Sequence, residues 1–79
     1  MIGKIVCSKA GSDKGSFLVV LNQENGRVLV ADGKRYKIAS PKRKNQKHLA
    51  FTNKVLNSTE FTTDKSLRKA IAIYRSNTK

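Results

Sequence analysis

Phe17-Leu-Val-Val-Leu21 is an unbroken apolar run of strand length, and four residues later the chain reads Asn25-Gly26. A short run with no polar alternation suits a strand covered on both faces. Asn-Gly is the strongest short-range signal for a two-residue hairpin, because both central residues of that turn need positive φ. Val28-Leu-Val30 is then placed to pair back as the next strand. This nucleus commits the chain to antiparallel β structure, and the flanking segments are read around it.

Upstream, Gly3-Lys-Ile-Val-Cys7 reads as a first strand, and Ala10-Gly-Ser-Asp-Lys-Gly15 as a glycine-bearing loop. Downstream, Asp32-Gly33 reads as a second hairpin turn leading to a fourth strand, Arg35-Tyr-Lys-Ile38. Its alternation puts Tyr36 and Ile38 on a core side and Arg35 and Lys37 on a charged side. Pro41 interrupts the pattern and pushes Ser40 towards an extended conformation. Residues 42–45 are expected as an exposed loop, and residues 48–52 as a short fifth strand with Leu49 and Phe51 inward. Short strands at close spacing tied by tight turns predict a small antiparallel barrel.

The last third changes period. Leu67, Ala70, Ile71 and Tyr74 recur at i, i+3, i+4 and i+7, one apolar stripe of a helix. Thr63 or Asp64 is placed to cap it, and Arg75 near its end suits the helix dipole. The spacing predicts a helix over 64–76. With 79 residues there is room for one domain, expected as a barrel over 1–56 and a linker plus packed helix over 57–79. No apolar run approaches the roughly 18 residues that span a bilayer. The N-terminus is too quickly polar for a signal peptide, and one cysteine cannot form an internal disulfide, so a cytoplasmic location without membrane contact is expected.

Charge carries the functional signal. The chain has 17 basic and 5 acidic residues, a formal net charge of +12. Residues 34–48, KRYKIASPKRKNQKH, hold seven of the basic residues and no acid. A block of one sign repels itself and gains nothing from folding, which points to a polyanionic partner. Alternatively, the block is a solvated loop that keeps a small domain soluble.

Two further stretches carry a resemblance. Gly3-Lys-Ile-Val-Cys-Ser-Lys-Ala-Gly-Ser-Asp-Lys-Gly15, followed by an apolar strand, resembles the KOW motif, a strand–loop–strand unit of ribosomal proteins and transcription elongation factors. Arg27-Val-Leu-Val-Ala-Asp-Gly33, then Pro41-Lys-Arg-Lys and Lys47-His-Leu49, extend the likeness. Together they resemble the large-subunit ribosomal protein family that eukaryotes and archaea number fourteen. The likeness to its small bacterial KOW-domain RNA-binding relatives is closer still. The resemblance spans roughly residues 2–56. It implies a mainly β fold, an SH3-like antiparallel barrel of KOW type with one C-terminal helix. It also implies RNA contact by the loop after the first strand, no catalysis, and ribosomal RNA or the ribosome as partner. Ser12 stands where that pattern has a basic residue.

The candidate RNA-binding residues are therefore Lys9, Ser12, Lys14 and Gly15 of the glycine loop, and Lys34, Arg35, Lys37, Lys42, Arg43, Lys44, Lys47 and His48 of the basic stretch. Phosphate binding needs cations and unobstructed backbone, which both stretches offer. Asp13 reads as a turn residue bonding its own backbone. Tyr36 either stacks on an unpaired base or packs in the core. His48 has no second metal-ligand type nearby in sequence, and Cys7 reads as a small buried hydrophobe, so no metal or cofactor is expected. Asp13, Glu24, Asp32, Glu60 and Asp64 are scattered, with no acid–base pair or nucleophile arrangement, so no enzyme is expected. Two rival readings remain. One is a protein-docking module of the transcription or translation machinery, using Leu67, Ile71 and Tyr74 if they are exposed. The other is a small barrel that coats duplex DNA.

Overall fold

Residues 2–77 are described by the computed structural model. Five strands form one antiparallel sheet: β1 (Lys4–Ser8), β2 (Phe17–Glu24), β3 (Arg27–Ala31), β4 (Lys42–Asn45) and β5 (Leu49–Val55), in the order β4-β3-β2-β1-β5. Among the described residues one α-helix, α1 (Asp64–Asn77), follows. The apolar run is the central strand, covered on both faces as its composition requires. Leu18 and Val20 join Val6, Val28, Val30 and Leu49 in one core cluster. Val19, between them, joins Ile5, Ala31, Leu56, Leu67 and Ile71 in a second cluster beneath α1. The Asn25-Gly26 turn has positive φ at both residues, 23° and 80°, the backbone that lets β2 and β3 twist together.

The first cluster has no helix over it, yet Val6, Leu18, Val20, Val28 and Val30 are fully buried. The sheet itself supplies the cover. In a flat sheet β4 and β5 would lie four strand spacings apart, about 19 Å. Only the short 3₁₀ turn Gln46–His48 joins them, and its reach at about 2 Å per residue is less than half of that. The sheet is thus forced to curl, helped by register shifts between Val20 and Asn22 in β2 and between Lys4 and Val6 in β1. Ladder pairing leaves it open, with β4 and β5 as its edges, so the expected barrel is a curled sheet not closed by strand pairing.

Two expected elements exchange places. The fourth strand is not Arg35-Tyr-Lys-Ile38 but Lys42–Asn45, which had been expected as a loop, and residues 32–41 are irregular. Tyr36 and Ile38 do not share a face, because the chain turns between them. Tyr36 packs on the inner cluster and Ile38 on the cluster beneath α1. Leu49 and Phe51 do face the inner cluster as expected. The helix matches its expected span within a residue, and Thr63 caps it, its Oγ1 accepting from the Ser66 N–H at 3.1 Å. Leu67 and Ile71 are buried, and Tyr74 meets Phe17 edge to face at 5.3 Å. Of the three residues that would dock a partner if exposed, Leu67 and Ile71 are thus core and Tyr74 is half-buried against it. No described helix is long and apolar enough to cross a membrane.

Candidate nucleic-acid interface

The glycine loop, the basic loop and β4 meet at one buried carboxylate. Asp13 is 3 % exposed. Its Oδ1 accepts from the Lys44 ammonium at 2.9 Å and lies 2.8 Å from Ser8 Oγ, while its Oδ2 accepts from the Tyr36 hydroxyl at 2.9 Å. Burial alone would raise the Asp13 pKa. Hydrogen bonds from Lys44, Ser8 and Tyr36, with the attraction of the ammonium, outweigh it and hold the group at about 2. Burial and the bond to Asp13 in turn raise the Tyr36 hydroxyl. The side chain does not make the local turn bond expected of it; the turn is closed by the main chain, the Asp13 carbonyl accepting from Ser16 N at 2.9 Å. The side chain serves long-range contacts instead.

That network sorts the candidate cations. On β4, Lys44 lies opposite Val28 and Lys42 opposite Val30, so pleat parity turns both towards the inner side. Lys44 reaches in to Asp13 and retains 11 % of its side-chain exposure, whereas Lys42 stays exposed. Arg43, on the opposite face, pairs with Glu24 at 3.4 Å across open solvent. Lys44 is thus a structural cation, and Tyr36 is held by Asp13 rather than offered to a base.

Lys34, Arg35 and Lys37 stand on a loop that is irregular but pinned. Asp32 Oδ1 accepts from the N–H groups of Lys34 and Tyr36, each at 2.9 Å. The helix holds the loop from below: Asp64 Oδ1 accepts from Ile38 N at 2.8 Å, and Arg68 Nη1 donates to the Gly33 carbonyl at 2.7 Å. The three cations are exposed and make no ion pair among the described residues. Lys9, Ser12, Lys14 and Gly15 are likewise exposed, as are Lys47 and His48 on the 3₁₀ turn. Lys9 N donates to His48 O at 2.8 Å, which brings the glycine loop beside that turn. Gly15 has φ +89°, and no protein atom lies within 4 Å of where a Cβ would stand, so the fold needs its glycine for backbone conformation and leaves the space beside it open.

Arg68, as a clamp on the basic loop, and Gln46 and Phe51, beside Lys47, were absent from the candidate set. Gln46 stood inside the basic stretch, while Phe51 read only as an inward strand residue. Among the described residues no three His, Cys, Asp or Glu side chains come together as a metal site would require. Compared with models of known protein families, and with curated proteins, the chain finds no match.

Proposed function

We propose that this protein is a non-enzymatic RNA-binding module of the KOW type, a small SH3-like barrel receiving structured, ribosomal-type RNA on its exposed basic surface. The observation that carries the reading is the division of charge. Each of the five acids is engaged by the protein's own groups: Asp13 with Lys44, Glu24 with Arg43, Asp32 and Asp64 with backbone N–H groups of the basic loop, Glu60 with Asn57 N at 2.9 Å. Lys9, Lys14, Lys34, Arg35, Lys37, Lys42 and Lys47 are left exposed and without ion pairs among the described residues. Such a surface is complementary to a phosphate backbone. The forced curl of the sheet and the glycine loop after β1 support the barrel half of the reading.

Pinning of the basic loop lowers the conformational entropy lost when a ligand orders it. The test is recovery of the protein from cells with and without ribonuclease, followed by titration against a structured RNA and a DNA duplex of equal length. The associated material is expected to be lost to ribonuclease, and the RNA to bind more tightly than the DNA. Material that survives nuclease would favour the protein-docking reading, and equal binding of DNA would favour a duplex-coating role.

A further inference from the structure

Lys9, Gly26, Gln46, Lys47, Leu49 and Phe51 border a groove of about 500 Å³, a volume in the range of small-ligand pockets. Its floor is apolar: Leu49 is 3 % exposed, and half-buried Phe51 packs on the inner cluster. Its walls are the β2–β3 turn and the 3₁₀ turn, joined where Gln46 N donates to Gly26 O at 3.3 Å. Among the described residues, Lys9 and Lys47 stand at the rim, exposed and without ion pairs, and no carboxylate lines the groove. Neighbouring Asn45 spends its side-chain oxygen on Lys47 N at 2.9 Å. The Gln46 side-chain amide, by contrast, is exposed and bonds to no group among the described residues.

We propose that this groove takes one unpaired nucleobase of single-stranded RNA, an inference that rests on the RNA-binding reading and adds a base site to it. The base lies against Phe51, the Gln46 amide meets its polar edge, and the flanking phosphates meet Lys9 and Lys47. Aromatic side chains are the usual platforms for unstacked bases, and cations beside them track the backbone. A phosphate alone gains nothing from the Leu49 and Phe51 floor. An apolar peptide side chain gains nothing from two ammonium groups and a free amide.

The experiment uses the full chain, ¹⁵N-labelled, titrated with oligouridine and oligoadenine hexaribonucleotides, with a blunt RNA duplex and with a neutral Leu- and Phe-containing peptide, alongside affinities for Phe51→Leu and Gln46→Ala. The hexamers are expected to shift the amide signals of Gly26, Gln46, Lys47 and Phe51, and the duplex to leave them nearly unmoved. Phe51→Leu keeps an apolar side chain against the inner cluster and is expected to bind the hexamers about tenfold more weakly. Duplex affinity should stay within about twofold. Gln46→Ala, an exposed change that does not threaten folding, is expected to lose a few-fold on the hexamers. Hexamer binding without shifts at the groove, or unchanged by both variants, overturns the base site and leaves the RNA reading standing. Groove shifts from a neutral Leu- and Phe-containing peptide, and none from the hexamers, overturn it in favour of a peptide site. Failure of the wild type to bind either RNA overturns both.

Discussion

Asp13 is the residue on which the arrangement of the three basic segments depends. Removing one partner of a buried, hydrogen-bonded ion pair strands the other, so Asp13→Ala should lower stability by about 3 kcal/mol, measurable by urea unfolding. The pH dependence follows from its pKa, about 2 when folded against an ordinary 3.8. A depressed folded-state pKa stabilises fully above the unfolded value, so the contribution, about 2 kcal/mol, is present above roughly pH 4. It is lost as pH falls from there through about 2. Lys44→Met keeps the apolar stem but removes the ammonium, which lets burial raise the folded-state pKa of Asp13 and should shrink this acid limb. A pH profile identical to wild type would contradict the network. Little of this was legible beforehand. The bonds from Asp13 reach 23 and 31 residues along the chain, to Tyr36 and Lys44, and no local pattern records such partners. Asp13 therefore read as a turn residue and Lys44 as one more surface cation.

At the scale of elements, local patterns succeeded where burial is two-sided or periodic. The central strand, the Asn25-Gly26 turn and the helix all carried such signals. They failed at β4, whose Lys-Arg-Lys-Asn sequence has no apolar residue, because an edge strand keeps its pairing without an apolar face and Lys44 fills its inward position as a charged side chain bonded to Asp13. The false fourth strand came from alternation that a turn at Ile38 splits between two cores. The helix also does more than cover the sheet, since Asp64 and Arg68 hold the basic loop. Asp64→Ala should leave the helix formed and speed hydrogen exchange at the Ile38 amide by about tenfold or more, as expected where a local bond worth over 1 kcal/mol is lost. Unchanged exchange there would mean that the loop does not depend on the helix. Gly33 shows how close the two lie: it has φ +78°, and a Cβ on it would run into the Asp64 carbonyl. Gly33→Ala should therefore cost more stability than Gly15→Ala, which meets only the conformational penalty of about 1–2 kcal/mol. Equal losses in thermal melting would remove the packing role assigned to Gly33.

For the whole molecule, the basic segment of the sequence was visible, but not its division into structural and exposed cations, which depends on where each side chain points after folding. Lys34, Arg35 and Lys37 emerge as the most coherent group, three exposed cations on one pinned loop. Their role is tested most directly by the salt dependence of affinity for a structured RNA. Phosphate contacts release condensed counterions, so log K should fall linearly with log salt, and about five contacts give a slope of about −4.5. Changing Lys34, Arg35 and Lys37 together to Ala should weaken binding and flatten the slope by up to about 3. Changing Lys54, Lys65 and Lys69 instead removes equal charge from exposed positions outside the basic segment, and should flatten it by less than about 1. Equal losses from the two triple changes would contradict a localised site and leave only diffuse attraction.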